Sequence, residues 1–355
     1  MRTTKRLLRT ILTTGLLAGL TAIAPLPASS ATRLPCDPLD KTLCLLPFPN
    51  DRFTVADAST DTGRRIDFQL LEMPRVLGLK SILPFEWNRN DGFSPGSEVI
   101  TFVPGLDLHQ TWGTAGMTGA GVGGPNDPRD HLADISRYAK PDAPILLIDE
   151  TTGQRWPFWS ELDHNAGTPD DQRLLILRPA VNFLEGHRYL VALRNMKDAQ
   201  GNVIPAGDQF AAYRDGTPGP LDPTFEESRR PEVERIIDEI ADAETKRGVP
   251  FDRSQLFLAW EFTIASERNL SERVLHIRDT AFAQLGDTDL ADGIIQGNAP
   301  QFAVTAVTDQ SDDPSRLRRV EGTVTVPNFL FLPPRPPVEE ITAPVDTPAG
   351  NSLPG

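Results

Sequence analysis

The first feature of this sequence that could do chemistry is a serine framed by glycines, Gly92-Phe93-Ser94-Pro95-Gly96. It fits the letter of G-x-S-x-G. A nucleophile elbow of that kind needs its serine on a tight turn between a buried strand and a helix, whose first amides stabilise the oxyanion. Here SILPFEWNRND precedes the motif, and SEVITFVPG, which reads as a strand, follows it. Pro95 also removes the amide that would serve as an oxyanion donor. Ser94 is therefore expected in a turn, and is a catalytic candidate only for a non-standard ester hydrolase.

The remaining polar clusters are also incomplete. Gly119, Gly121 and Gly124 give a G-x-G-x-x-G pattern, but TWGTAGMT and PNDPRD flank it where a dinucleotide site needs a strand and a helix. Asp309, Asp312 and Asp313 cluster in DQSDDP without the glycine and distal glutamate of a calcium loop. His109 follows Asp107 by two residues and His164 follows Asp163 by one. Neither pair makes a triad without a serine that the fold brings close, and both histidines are expected in surface or loop positions. No cofactor and no metal is implied.

Only two cysteines occur, Cys36 and Cys44, in CDPLDKTLC. No histidine lies near them, so a local disulfide is expected rather than a metal site. Its compartment is suggested by the leader. Arg2, Lys5, Arg6 and Arg9 precede an apolar stretch from Ile11 to Leu26, and Ser29-Ser30-Ala31 supplies a small-residue cleavage site. Residues 1–31 thus read as a secretory signal peptide, and the mature protein as secreted. Removing those four basic residues takes the net charge from −14 to −18. Such an acidic chain is a poor partner for nucleic acid, and no later stretch is apolar enough to span a membrane.

The elements that must position these residues are mainly strands. The 33 prolines in 355 residues, against a usual share of about 5%, argue for many turns and against a helical bundle. Residues 32–142 read as an irregular segment holding the first strand, at Val99–Val103. From 143 to 290 the signals are those of an immunoglobulin-like β-sandwich: ILLI at 145–148, extended structure at 155–162, RLLILR at 173–178 and RYLVALRN at 188–195. Tyr189, at a strand start just after a turn, matches a tyrosine corner, whose hydroxyl bonds back to the preceding loop. In LFLAWEFTIA, Leu256, Leu258, Trp260, Phe262 and Ile264 alternate, which predicts a strand with one heavily buried face. Two helices are expected, over 231–247 from Pro231 and over 270–285, with Leu270, Val274, Ile277 and Ala281 on one side. Residues 300–332 read as a hairpin, and 333–355 as a proline-rich tail.

Taken as a set, LLPFPNDRFT, DTGRRIDF, WNRNDGFSPGS, RPAVNFLEGHRYLVALRNMKDAQGNVIP and LFLAWEFTIAS resemble the N-terminal half of large secreted bacterial proteins of the α/β-hydrolase class. They are similar to extracellular lipases whose N-terminal region is an immunoglobulin-like β domain. The resemblance spans roughly residues 36–332, and RVEGTVTVPNFL resembles the first strands of the hydrolase part. It implies a non-catalytic accessory or substrate-contact region of a lipase- or esterase-like protein: either a truncated chain whose missing hydrolase domain meets a lipid or ester substrate, or a stand-alone relic of the accessory region. None of the family's catalytic residues maps onto this sequence. The alternatives are an ester hydrolase with a non-standard site, and a surface adhesion module using Trp112, Trp156 and Trp159.

Overall fold

The computed structural model describes residues 36–39, 44–75, 81–113, 135–163, 168–169, 172–309, 315 and 317–329. The chain divides into two compact units at Leu34/Pro35, and all described residues belong to the second. The leader at 1–31, the glycines at 119, 121 and 124, His131, His164, Asp312, Asp313 and the tail at 333–355 lie outside the described residues.

In chain order the elements are β1 (Thr54–Ala56), β2 (Arg64–Ile66), β3 (Val99–Phe102), α1 (Leu108–Trp112), β4 (Ile145–Asp149), β5 (Gln154–Arg155), β6 (Phe158–Leu162), β7 (Leu174–Pro179) and β8 (Arg188–Arg194), then α2 (Asp208–Asp215), α3 (Pro223–Lys246), β9 (Leu256–Thr263), α4 (Glu267–Gln284), β10 (Phe302–Asp309) and β11 (Arg318–Val324). The described residues form four sheets: the pairs β1-β2 and β10-β11, a three-stranded sheet β3-β7-β6, and a four-stranded sheet β5-β4-β8-β9. Their strand pairings are antiparallel. Among the described residues no helix is long and apolar enough to cross a membrane.

One hydrophobic core holds side chains of both larger sheets, including Val99, Phe158 and Leu177 of the first and Ile145–Ile148, Tyr189 and Trp260 of the second. β9 lies beside β8, with Tyr189 opposite Phe262 and Val191 opposite Trp260. All eight residues of β9 are buried, not one alternate face. The second face is covered by α3, which buries Val233, Ile236, Ile237 and Ile240 at helical spacing. The polar position on the strand, Glu261, is buried among arginines: Arg188 from β8 at 2.9 Å and Arg235 from α3 at 3.0 Å. Tyr189 is fully buried, and its hydroxyl accepts the Leu184 N–H at 2.9 Å, as the tyrosine corner requires.

Helix starts differ from expectation for local reasons. α3 begins at Pro223, not Pro231, because Asp222 caps it by accepting the Thr224 N–H and Pro223 takes the first helical position. Pro231 then sits inside the helix. The carbonyl it leaves unbonded belongs to exposed Glu227, where water can satisfy it. α4 starts three residues earlier than Leu270 because Ser266 caps it, its hydroxyl accepting the Asn269 N–H. α1 and α2 had no clear periodic signal; both are short. The hairpin expected over 300–332 is formed by β10 and β11, and its second strand ends at Val324.

Candidate functional site

Ser94 is exposed, and its hydroxyl accepts only the Gly96 N–H, at 3.3 Å. Among the described residues no histidine or carboxylate is hydrogen-bonded to it. The motif around it is structural instead. Phe93 exchanges backbone hydrogen bonds with Thr263 and Ala265, which brings Gly92 so close to the chain that a Cβ there would lie 2.5 Å from the Ala265 nitrogen. Glycine is needed at 92 for that approach.

The histidines are distributed differently from expectation. His109 is buried on α1, contrary to the surface placement, and Asp107 caps that helix by accepting the Gln110 N–H. An acid–histidine pair does form, at His187 and Asp149. Nδ1 of His187 lies 3.1 Å from both carboxylate oxygens, and Asp149 is fully buried. The same carboxylate accepts the Thr151 N–H and the Thr152 hydroxyl. No hydroxyl or thiol bonds the other imidazole nitrogen among the described residues, so the pair lacks a nucleophile and fastens the β4–β5 turn to the start of β8. It was missed in sequence because its members lie 38 residues apart.

The tryptophans do not form an exposed platform. Trp112 is half-buried and donates to the Ser160 hydroxyl; Trp156 packs on Phe183 and Tyr189; Trp159 is half-buried. Asp309 ends β10, exposed, and accepts from Arg318. Among the described residues no group of three or more His, Cys, Asp or Glu side chains could hold a metal ion.

Two exposed aromatics, Phe85 and Trp87, lie elsewhere, in the segment whose described parts are 68–75 and 81–88. Its base is held at two points by one side chain: Asn88 accepts the Phe68 N–H through Oδ1 and donates to the Phe68 carbonyl through Nδ2, at 2.9 and 3.0 Å. Arg65 donates to the Arg89 carbonyl, and Met73 is buried beneath the loop. Arg75 pairs with Ser81, and the Ile82 N–H donates to Pro74, so the two arms run side by side. From this fixed base Leu71 (66% exposed), Leu83 (57%), Phe85 (68%) and Trp87 (47%) project outward, with Leu70 beside them. Five exposed large apolar side chains in so short a stretch are more than the scattered surface leucines of an ordinary protein. The sequence signal for it is the density of apolar residues between Leu70 and Trp87, interrupted by Pro74 and Pro84.

A cleft of about 500 Å³ opens between α4 and a wall made by the β1–β2 region (Ser59, Thr60, Arg65) and Glu86–Asp91. Four arginines line it, and each has an acidic partner: Arg65 with Asp57, Arg89 and Arg273 with Glu86, and Arg268 with Asp61. Hydrogen bonds from Arg268 hold the Asp61 carboxyl below its usual range. Among the described residues, each arginine lining the cleft is therefore engaged by a carboxylate, with Glu86 shared by two of them.

No protein-family model, curated protein or solved structure matches this chain.

Proposed function

We propose that this chain is a secreted, non-catalytic accessory region of a lipase- or esterase-like protein, one that touches the lipid-ester substrate itself. In this reading the two larger sheets make an immunoglobulin-like sandwich that carries the 68–88 loop, while catalysis belongs to a hydrolase-class domain beyond these residues. The observation that supports it most is the loop: leucines with a phenylalanine and a tryptophan, presented from a fixed base, have the composition of surfaces that seat in a lipid interface. Burying three such side chains contributes roughly 4–9 kcal/mol before ordering costs, enough for reversible adsorption. The high acidic charge favours a neutral or zwitterionic lipid surface over an anionic one.

The test uses the chain from Thr32 and two substrates, a long-chain triacylglycerol emulsion and a soluble short-chain ester. The protein should adsorb to the emulsion and turn over neither substrate. The triple variant Leu83→Ser, Phe85→Ser, Trp87→Ser should stay folded and remain in the aqueous phase. Adsorption that survives the triple variant would sink the reading, as would turnover abolished by Ser94→Ala.

A further inference from the structure

The disulfide joins Cys36 to Cys44, and the residue next to Cys36 is a fully buried acid, Asp37. Its carboxylate faces Arg229 of α3, which is itself only 5% exposed. Arg229 Nη2 donates to Asp37 Oδ2 at 2.9 Å, and Asn50 Nδ2 donates to the same oxygen at 2.8 Å. Asp37 Oδ1 accepts the Leu39 N–H. The other guanidinium nitrogens of Arg229, Nε and Nη1, are buried without hydrogen-bond partners among the described residues. Asp37 is thus the anion in direct contact with a cation inside the protein.

The two ends of the disulfide loop are attached very differently. Beyond Cys44 the chain is laced to the core: Phe48 exchanges backbone hydrogen bonds with Ile100, and the Trp260 indole donates to the Pro49 carbonyl. Asn50 also accepts the Arg52 N–H, so the side chain that holds Asp37 is itself fixed. On the other side, Cys36 is tied to this anchored stretch covalently by the disulfide and by residues 37–43, and Asp37 is the first of those seven. Closing that loop holds Asp37 at high effective concentration beside Arg229; opening it makes the carboxylate compete with water.

We propose that the Cys36–Cys44 disulfide works as a redox-gated electrostatic latch, whose oxidised form delivers Asp37 to Arg229 and whose reduced form leaves that buried arginine without its contacting counter-ion. Glu232 acts on that arginine only without direct contact. A dithiol reductant opens the latch. It supplies two electrons and two protons, the S–S bond breaks, two S–H bonds form at Cys36 and Cys44, and the reductant leaves as its own disulfide. A buried cation deprived of its partner is strongly unfavourable, far more so than the loss of a surface pair. Removing the cation removes the reason for the latch, and this separates it from a disulfide that acts through chain entropy alone.

The experiment is a cycle on the full chain. Denaturation midpoints are measured oxidised and after reduction by a dithiol, in wild type, Asp37→Asn and Arg229→Met. In wild type, reduction should lower the midpoint and raise hydrogen exchange of the first α3 amides, residues 226–232 other than Pro231. In Arg229→Met, and in Asp37→Asn, the reduction shift should fall to half or less. A Cys36→Ser, Cys44→Ser variant should reproduce the reduced state in each background. If Arg229→Met does not fold, the Asp37→Asn comparison decides. Equal reduction shifts in wild type and Asp37→Asn, with unchanged exchange in α3, would overturn the proposal and reduce the disulfide to a simple cross-link.

Discussion

β8 and β9 on one hand, and β10 and β11 on the other, are both antiparallel pairs with an apolar face, yet one is sealed and the other bare. In β9 every residue is buried, while in β10 and β11 every residue is exposed. The bare hairpin is not polar. Its register puts Phe302 opposite Val324, Val304 opposite Gly322 and Val307 opposite Val320, so the large apolar side chains share one face. α4 behaves likewise, with no buried residue and with Leu270 and Val274 exposed. The difference teaches that alternation in a sequence specifies which face wants cover, and that the cover is specified elsewhere. For β9 it comes from α3; for the hairpin no described element supplies it.

The largest effect should come from the sealed side. Trp260 is 1% exposed, and its indole N–H donates to the Pro49 carbonyl at 2.9 Å. Trp260→Ala removes the ring, leaves a cavity and strands that carbonyl, and should cost ~3–5 kcal/mol in chemical denaturation. A loss below about 1 kcal/mol would show that the site collapses or that the ring is solvated.

A second effect belongs to the buried charges beside β9. Asp51 is buried; it accepts the Thr263 N–H and hydroxyl, and Arg64 lies 3.2 Å away. Burial, together with nearby Glu261, outweighs Arg64 and the hydrogen bonds and pushes its pKa up to about 6. Between pH ~4 and ~6 the folded state therefore binds this proton and the unfolded state does not. Stability from this group is greatest below pH ~4 and declines as pH rises through 6, by about 3 kcal/mol in all. Denaturation of wild type and Asp51→Asn from pH 4 to 7.5 should show the slope in the first and a flatter line in the second. Parallel profiles would rule out Asp51 as its source.

How far this was legible in the sequence varies with how local the cause is. The strands around Ile145, Leu175, Tyr189 and Trp260 follow from alternation and turn residues, and the disulfide follows from two neighbouring cysteines. The tyrosine corner was readable because its bond spans five residues. What escaped depends on distant partners: the second buried face of β9, burial of His109, and the His187–Asp149 pair. The start of α3 was misjudged because Pro231 and Pro223 are both valid first-turn residues, and only the Asp222 cap distinguishes them. The exposed apolar side chains between Leu70 and Trp87 escaped because an apolar run broken by Pro74 and Pro84 says nothing about which way it points.

Tyr189→Phe probes the sealed side more gently. It keeps the ring against Phe183 and Phe262 and removes the oxygen that accepts the Leu184 N–H. The cost should be about 1 kcal/mol, read as a lower denaturation midpoint with an unchanged slope. A neutral result would mean that water replaces the hydroxyl at the turn.

The smallest expected effect lies on the bare hairpin, and it tests the comparison most directly. Val304 is 52% exposed and Val320 is 59% exposed, on the same face of the two-stranded sheet. Little area is lost to water when either is changed, so Val304→Thr and Val320→Thr should each move stability by no more than ~0.5 kcal/mol. Self-association should respond where stability does not. Two apolar strands with open edges are a template for edge pairing, and the hydroxyls weaken the face that would be shared. Deleting residues 300–355 should carry the same logic further, leaving the cooperative melt of the β core in place while raising solubility. If Val320→Thr instead costs more than 1 kcal/mol, or the truncation abolishes the melt, the hairpin is packed against the core in solution and the contrast with β9 disappears.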